Sequence, residues 1–357
     1  MRTPVAGSLA GLVLFLAAPA PAQTPAVETA LREALAVTPT PASLRGDQAD
    51  WLAERAAAAA GDRDAVDNDR IDRLQRVAAR DRAARGLRLP ADRLADACVP
   101  LGLDGCRADR GGYLRAASGA TLYWQVQQGS TETDGVSGAA VLLSRDGQIL
   151  TPVAWTSGGF YRPPELIETG DAGDLYVAIP GYWSGTGQYN ADVLFRWTPG
   201  AATPLVEIDV RQWRATLDAR LPKGLEVWKG VDFHWPALAA WTPLWTPDDA
   251  NCCATGGEAN LDFGVRDGVL VLSDVNAVDR VADLAMTLPT DVFDLVGRWT
   301  MCGHWGGEEG YDADRRAGIE AAVRELRCDA LDADTAILKA KYPDRPSIQA
   351  LLDRNRN

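Results

Sequence analysis

The order of apolar and polar positions divides the chain into three textures. From about residue 24 to 90 it is rich in Ala, Arg and Asp, poor in Gly and aromatic residues, and its apolar positions recur at helical spacing. Thr38-Pro39-Thr40-Pro41 breaks this region. A second helix then runs from a capping Ser43 through Trp51, Leu52 and the Ala run 56–60 to Gly61. A third helix places Val66, Ile71, Leu74 and Val77 on one face. Its Asp and Arg residues predict a solvated ion-pair surface on the other, and Gly86 and Pro90 end it.

From about 111 to 288 the texture changes, with more Gly, Trp, Tyr, Thr and Val. Leu122-Tyr123-Trp124-Gln125-Val126 alternates as a strand does. Residues 139–144, Asp146-Gly147 and 148–154 read as strand, tight turn, strand. Asp267-Gly268 repeats the pattern between 261–265 and 269–272, and Thr198-Pro199-Gly200 joins 192–197 to 205–210. Successive hairpins without long intervening helices predict an antiparallel sheet domain. A sandwich is favoured. A small propeller is the alternative, because Trp and Tyr recur at strand ends, but no clean repeat period supports it.

After about residue 290 helical spacing returns. Asp312 or Asp314 can cap a helix carrying Ile319, Ala322, Val323 and Leu326, which ends at Cys328. Leu331, Ile337 and Leu338 lie on the next helix, up to Tyr342, and Pro343 stops it. Asp344 and Pro346 start a last helix with Ile348, Leu351 and Leu352. The fold expected is α+β: a helical segment over 23–97, an all-β domain over 98–290 and a helical, disulfide-pinned module over 291–357.

Residues 1–22 have a different pattern. Met1-Arg2 precedes an apolar core around 9–18, and Ala20-Pro21-Ala22 offers small residues to a signal peptidase. This predicts an export signal cleaved after Ala22 and a protein of the periplasm or the medium. The apolar run is shorter than the roughly 20 residues that span a bilayer. A formal charge of −13 argues against nucleic acid and anionic lipid as partners, and suits a basic protein partner. In an oxidising compartment six Cys predict disulfides. Local spacing favours Cys98 with Cys106 and Cys302 with Cys328. The adjacent Cys252 and Cys253 are left as a vicinal bond, two thiols, or exchange partners of the other pairs. A zinc site is disfavoured, since no CxxC spacing occurs and only His304 lies near a Cys in sequence. No metal or cofactor is expected.

Candidate chemistry is sparse. The chain has two His, His234 among aromatic residues and His304 beside Cys302, read as packing and as part of a disulfide-flanking loop. No HExxH, GxSxG or EF-hand pattern occurs. Paired carboxylates for a glycosidase could come from Glu165, Asp174, Asp248, Asp249, Glu258, Glu308, Glu309 or Asp312. Tyr182, Trp183 and Tyr189, in the Gly-rich loop 181–190, are candidates for a binding surface, because flat rings give large contact area at small entropic cost.

One resemblance adds to this. Gln48, Trp51 and Arg55 reproduce a Gln-x-x-Trp-x-x-x-Arg spacing. The stretch around them looks like the closing helix of the LprI-type lysozyme-inhibitor family. Arg70, Ile71, Arg73 and Leu74 resemble the extension that follows that helix in larger exported relatives. Cys302, His304, Trp305, Gly307, Glu308, Tyr311, Asp312, Arg315 and Cys328, then Leu331, Asp334, Leu338 and Tyr342, resemble the same helical modules more loosely. Ala residues occupy 56–60, where the family carries a Cys. The resemblance implies that Gln48, Trp51 and Arg55 meet a partner such as lysozyme. The expectation is therefore a non-catalytic envelope protein that binds a basic protein or a polysaccharide. The alternatives are a carboxylate-dependent polysaccharide hydrolase and a structural envelope component.

Overall fold

The structure is a computed structural model that describes residues 23–131, 135–169, 174–185, 189–278, 288–308, 310 and 312–354. The export signal expected over 1–22 lies outside the described residues. Among those residues, no helix is long and apolar enough to cross a membrane. The fold is α+β, with helices at both ends and antiparallel sheets between them. The described residues fall into two compact units. The first runs through Leu217 and adds Lys229–Ala240 and Asp262–Ser273. The second comprises Asp218–Trp228, Trp241–Leu261 and the described residues from Asp274 onward.

The first unit begins with α1 (Pro25–Leu35), α2 (Pro41–Ala57) and α3 (Arg63–Gly86). Val27, Ala30, Ala34, Leu44, Trp51, Leu74 and Ala78 form their common apolar core. The buried stripe of α3 is Asp67, Arg70, Leu74, Ala78, Asp81 and Ala84, so half of it is charged. This corrects the expectation of a wholly solvated ion-pair face. Each buried charge has a specific partner: Arg55 pairs with Asp67, Arg70 with Asp47 and Gln48, and Asp81 accepts from Arg80. Burial of a charge is tolerated where such bonds replace its water.

The first sheet contains β1 (Leu89–Pro90), β2 (Asp104–Arg115), β3 (Thr121–Thr131), β4 (Gly135–Asp146) and β5 (Ile149–Ser157), in the order β1-β5-β4-β3-β2. The disulfide Cys98–Cys106 ties its entry loop to β2. Residues 137–143 of β4 are buried without a break because both faces are covered. Ala140 and Leu142 face one apolar cluster, and Ala139, Val141 and Leu143 face another that includes Ala84, Leu89, Val99 and Leu101. The hairpin after β4 turns on Gly147-Gln148, with Gly147 at φ 56°. At the second hairpin Asp267 and Gly268 are themselves the loop, at φ 51° and 79°, the combination of a type I′ turn.

Two short strands, β6 (Phe160–Tyr161) and β9 (Gly181–Tyr182), pair with each other. The second sheet has β7 (Glu165–Glu168), β8 (Leu175–Ile179), β10 (Val193–Trp197) and β11 (Leu205–Ile208), in the order β11-β10-β8-β7. Val177, Ile179, Val193, Phe195 and Leu205 from this sheet share one core with Leu122, Val126, Ala140, Leu142 and Ala154 from the first. The two sheets thus pack face to face, as in a sandwich. The third sheet is the meander β12 (Asp232–His234), β13 (Ala239–Pro243), β14 (Glu258–Arg266) and β15 (Val269–Val278). A short helix, α4 (Arg214–Leu217), precedes it.

The second unit carries the C-terminal helices α5 (Thr290–Gly307), α6 (Ala313–Glu325), α7 (Leu331–Lys341) and α8 (Pro346–Arg354). Asp312 caps α6 by accepting from the Arg315 amide at 2.7 Å. Val292, Leu295, Leu338, Ile348 and Leu352 make the core. The disulfide Cys302–Cys328 and Arg298 fasten α5, the latter donating to Leu326 O, Arg327 O and Asp334. His304 lies within α5, so the expected disulfide-flanking loop is instead the last turn of a helix.

The helices of the first unit are anchored to its first sheet by one buried bond. Trp155 Nε1 donates to Asp81 Oδ1 at 2.8 Å, and both residues are almost fully excluded from solvent. Asp81→Ala leaves that indole donor buried without an acceptor and is expected to destabilise the protein by about 1–3 kcal/mol. Urea unfolding measures this. Asp81→Asn, which retains an acceptor oxygen, should recover part of the loss, and unchanged stability in Asp81→Ala would remove the anchor.

Candidate functional site

The first unit contains a cavity of about 780 Å³. Four stretches wall it: Ser43, Leu44, Asp47 and Asp50 of α2; Arg73, Val77 and Arg80 of α3; Thr156 and Ser157 at the end of β5; and the loop that carries Trp183 and residues 189–193. Arg211, Trp213 and Arg214 close the remaining side. Trp213 also packs edge-on against Phe233 and Phe263, and Phe233 stacks on Trp235 at 4.2 Å, so one wall is a rigid aromatic block.

Helix α2 is set in place by a residue far away in sequence. Its N-cap position, Thr40, makes no side-chain cap, and Ser43 lies inside the helix rather than at its cap. Glu207 of β11 supplies the missing acceptor: the Ala42 and Ser43 amides and the Ser43 hydroxyl all donate to its carboxylate. The first-turn amides of a helix need such an acceptor, and the helix dipole favours its negative charge. Arg211 then crosses α2 to Asp50, lying so close over Gly46 that a Cβ there would fall 2.5 Å from its guanidinium.

The polar groups of the cavity are already engaged with one another. Asp47 accepts from Arg70 and Arg73, Asp50 from Arg211, and Arg80 donates to Ser157 at 2.7 Å. Asp192 accepts from Trp235 Nε1 at 2.8 Å and from Asn190 Nδ2 at 3.0 Å. Asn190 is itself locked to both backbone groups of Val231. The Tyr161 hydroxyl shares a 3.0 Å bond with Thr156, and burial pushes it up to about 12. The result is a preorganised polar lining.

The residues singled out from the sequence divide between surface and interior. Tyr182, Trp183 and Tyr189 are exposed, and Trp183 and Tyr189 line the cavity. The Trp183 amide donates to Tyr189 O at 2.8 Å, closing their loop. The Trp183 ring lies over Gly158, whose φ of 103° and lack of a side chain make room for it. Tyr182 instead stacks on Phe160 at 5.4 Å. Gln48, Trp51 and Arg55 are buried. Trp51 sits between the guanidinium groups of Arg55 and Arg70, each 5.8 Å from its ring, so these three residues pack α2 on α3 rather than present a surface. Trp155, Trp235 and Trp245 are core residues. His234 is exposed between buried Phe233 and Trp235, which corrects its reading as a packing residue.

The carboxylates proposed from the sequence for paired chemistry are elsewhere. Glu165, Asp174, Asp248, Asp249, Glu258, Glu308 and Asp312 do not line the cavity, and Glu309 lies outside the described residues. Asp249 organises its own loop, accepting from the Thr246 and Thr255 amides and the Thr255 hydroxyl. The acids that do line the cavity, Asp47, Asp50 and Asp192, were not selected from sequence. Nothing local distinguishes them among 49 acidic residues. Cys252 and Cys253 are bonded to each other in the second unit. Compared with known protein families, curated proteins and solved structures, the chain matches none.

Two carboxyls give this region a defined pH response. Burial pushes Asp192 up to about 6, against the bonds from Trp235 and Asn190. Burial likewise pushes Glu207 up to about 7, against the donors of Ser43 and Ala42. In the unfolded chain both return to the ordinary range near pH 4. Between about pH 4 and 7 the folded state therefore holds more protons than the unfolded one, and stability from these groups falls as pH rises through that window. Urea unfolding at steps from pH 4.5 to 7.5 should show this decline, with a shallower slope in Glu207→Gln. An identical slope in the variant would contradict the assignment to Glu207.

Proposed function

We propose that this is an exported, non-catalytic binding protein of the cell envelope whose cavity takes a ligand of the saccharide class. The observation that carries the reading is the pairing of two exposed aromatic rings, Trp183 and Tyr189, with a preorganised polar cavity. Flat rings stack on the apolar faces of sugars, while fixed Asp, Arg and Asn groups meet their hydroxyl and amide groups. The cavity's volume of about 780 Å³ suits a few sugar rings. The signal-like pattern over 1–22 and the three disulfides support export. The residues implied by the lysozyme-inhibitor resemblance are internal, so the reading rests on Trp183 and Tyr189 instead.

A second reading, hydrolysis of the same polymer class, is favoured by one group. Asp192 is a cavity-lining carboxyl held up to about 6, in the range of a general acid. Its two fixed donors suit a structural acceptor better than a proton donor, so binding is the primary reading.

The test is a fluorescence and calorimetric titration with N-acetylglucosamine oligomers and solubilised peptidoglycan fragments. Binding is expected to quench Trp emission. Trp183→Ala and Tyr189→Ala should each weaken it about tenfold, or about 1.4 kcal/mol, while Tyr182→Ala leaves it within a factor of two. No binding, or equal loss in all three variants, contradicts the proposal. Release of reducing ends that disappears in Asp192→Asn would establish the hydrolytic reading.

A further inference from the structure

A second cluster of chemically active groups lies in the second unit. The sulfurs of Cys252 and Cys253 and a ring nitrogen of His304 fall within 4.8 Å of one another. Cys252 Sγ is 3.8 Å from His304 Nε2. Their separation of 52 positions in sequence conceals this relation. Two local structures create it. A turn closed by the Cys253 amide on Ala250 O, at 2.9 Å, presents the sulfurs. Helix α5, held by Cys302–Cys328 and Arg298, presents the imidazole. Cys252 is exposed, while Cys253 and His304 are half-buried, so the cluster opens to solvent on one side.

Glu308, one turn beyond His304, completes the surroundings. Its Oε2 is 3.5 Å from His304 Nε2. Its Oε1 accepts from Arg315 Nε at 2.6 Å, which fixes the carboxylate. Among the described residues, Oε2 is buried and accepts no hydrogen bond, so its nearest cationic partner is the His304 imidazole.

We infer that Cys252, Cys253 and His304 form a redox-gated site for a thiophilic cation such as Zn²⁺ or Cu⁺, with Glu308 beside it. Two thiolates and an imidazole are the donor set such ions prefer over hard cations. With metal–sulfur bonds near 2.3 Å and metal–nitrogen bonds near 2.0 Å, tetrahedral donors stand roughly 3.5 Å apart, close to the observed sulfur-to-nitrogen distance. In the disulfide the sulfurs are not thiolates. A dithiol or phosphine reductant delivers two electrons, and with two protons the S–S bond becomes two S–H groups. The reductant leaves as its disulfide, or with water's oxygen as the phosphine oxide. The cation then displaces the two thiol protons as two metal–sulfur bonds form. A small-molecule disulfide takes two electrons and leaves as two thiols, re-forming the Cys252–Cys253 bond and releasing the cation.

The experiment uses the full mature chain, reduced anaerobically with limiting phosphine so that Cys302–Cys328 stays closed, as mass mapping of alkylated thiols verifies, and the phosphine is then removed. It compares wild type, Cys252→Ser/Cys253→Ser and His304→Ala, so that thiols from the other two disulfides cancel in the difference. Reduced wild type should bind one equivalent of Zn²⁺ or Cu⁺ more than the double variant, and unreduced wild type should lack that equivalent. Loaded with Co²⁺, it should show thiolate-to-cobalt charge-transfer bands and tetrahedral d–d bands. His304→Ala should weaken Zn²⁺ binding at least tenfold and shift the d–d bands, with far-ultraviolet circular dichroism unchanged. Equal stoichiometry in wild type and the double variant, or Co²⁺ spectra unaffected by His304→Ala, would overturn the site.

Discussion

The arrangement of the first unit depends on a carboxylate that belongs to one element and completes another. Glu207 projects from β11 to the open N-terminus of α2, where two amides and a hydroxyl donate to it. Without it, the first turn of α2 would bury donors that its own N-cap leaves unsatisfied. The bond is also positional. It fixes the end of α2 against the sheet and thereby sets Ser43, Leu44, Asp47 and Asp50 along the cavity wall. The Arg211–Asp50 pair makes a second tie from the chain just after β11 to the same helix. One face of the site is thus held by a sheet-to-helix polar contact rather than by apolar packing.

The same device recurs through the helical layer. Asp81 joins α3 to Trp155, Asp67 and Arg55 join α3 to α2, and Asp192 joins the cavity loop to Trp235. Hydrophobic burial supplies the bulk of the stabilisation, in the shared core of the first two sheets and the cluster around Trp51 and Leu74. Directional polar bonds then choose one packing among the many that such cores allow. Their cost is that each is buried, so any of their polar atoms left without a partner is destabilising. The raised carboxyls of Asp192 and Glu207 are the visible consequence of that burial.

Much of the architecture was legible because its signals are local. Pro41 and Gly86 delimit helices, Asp267-Gly268 makes a hairpin, and Asp312 caps α6. The fold class followed from these. The burial of the charged stripe of α3 is not legible, since periodicity reports where charges fall but not whether a second helix covers them. The site was legible only at its rim. Trp183 and Tyr189 stand out as aromatics in a Gly-rich loop, whereas Asp192, Glu207 and Arg211 look like any other charged residues. The bonds Glu207 makes to Ser43 and Cys252's approach to His304 join positions 164 and 52 residues apart, and no spacing rule reaches so far.

The central claim is that the cavity beside Trp183 and Tyr189 is where this protein meets its ligand. The most direct measurement is hydrogen–deuterium exchange by mass spectrometry, with and without solubilised peptidoglycan fragments. The account predicts slowed exchange confined to backbone amides of the cavity wall, in the segments around 43–50, 189–193 and 211–214. Protection elsewhere with these segments unchanged, or no protection at saturating fragment concentration, would contradict it.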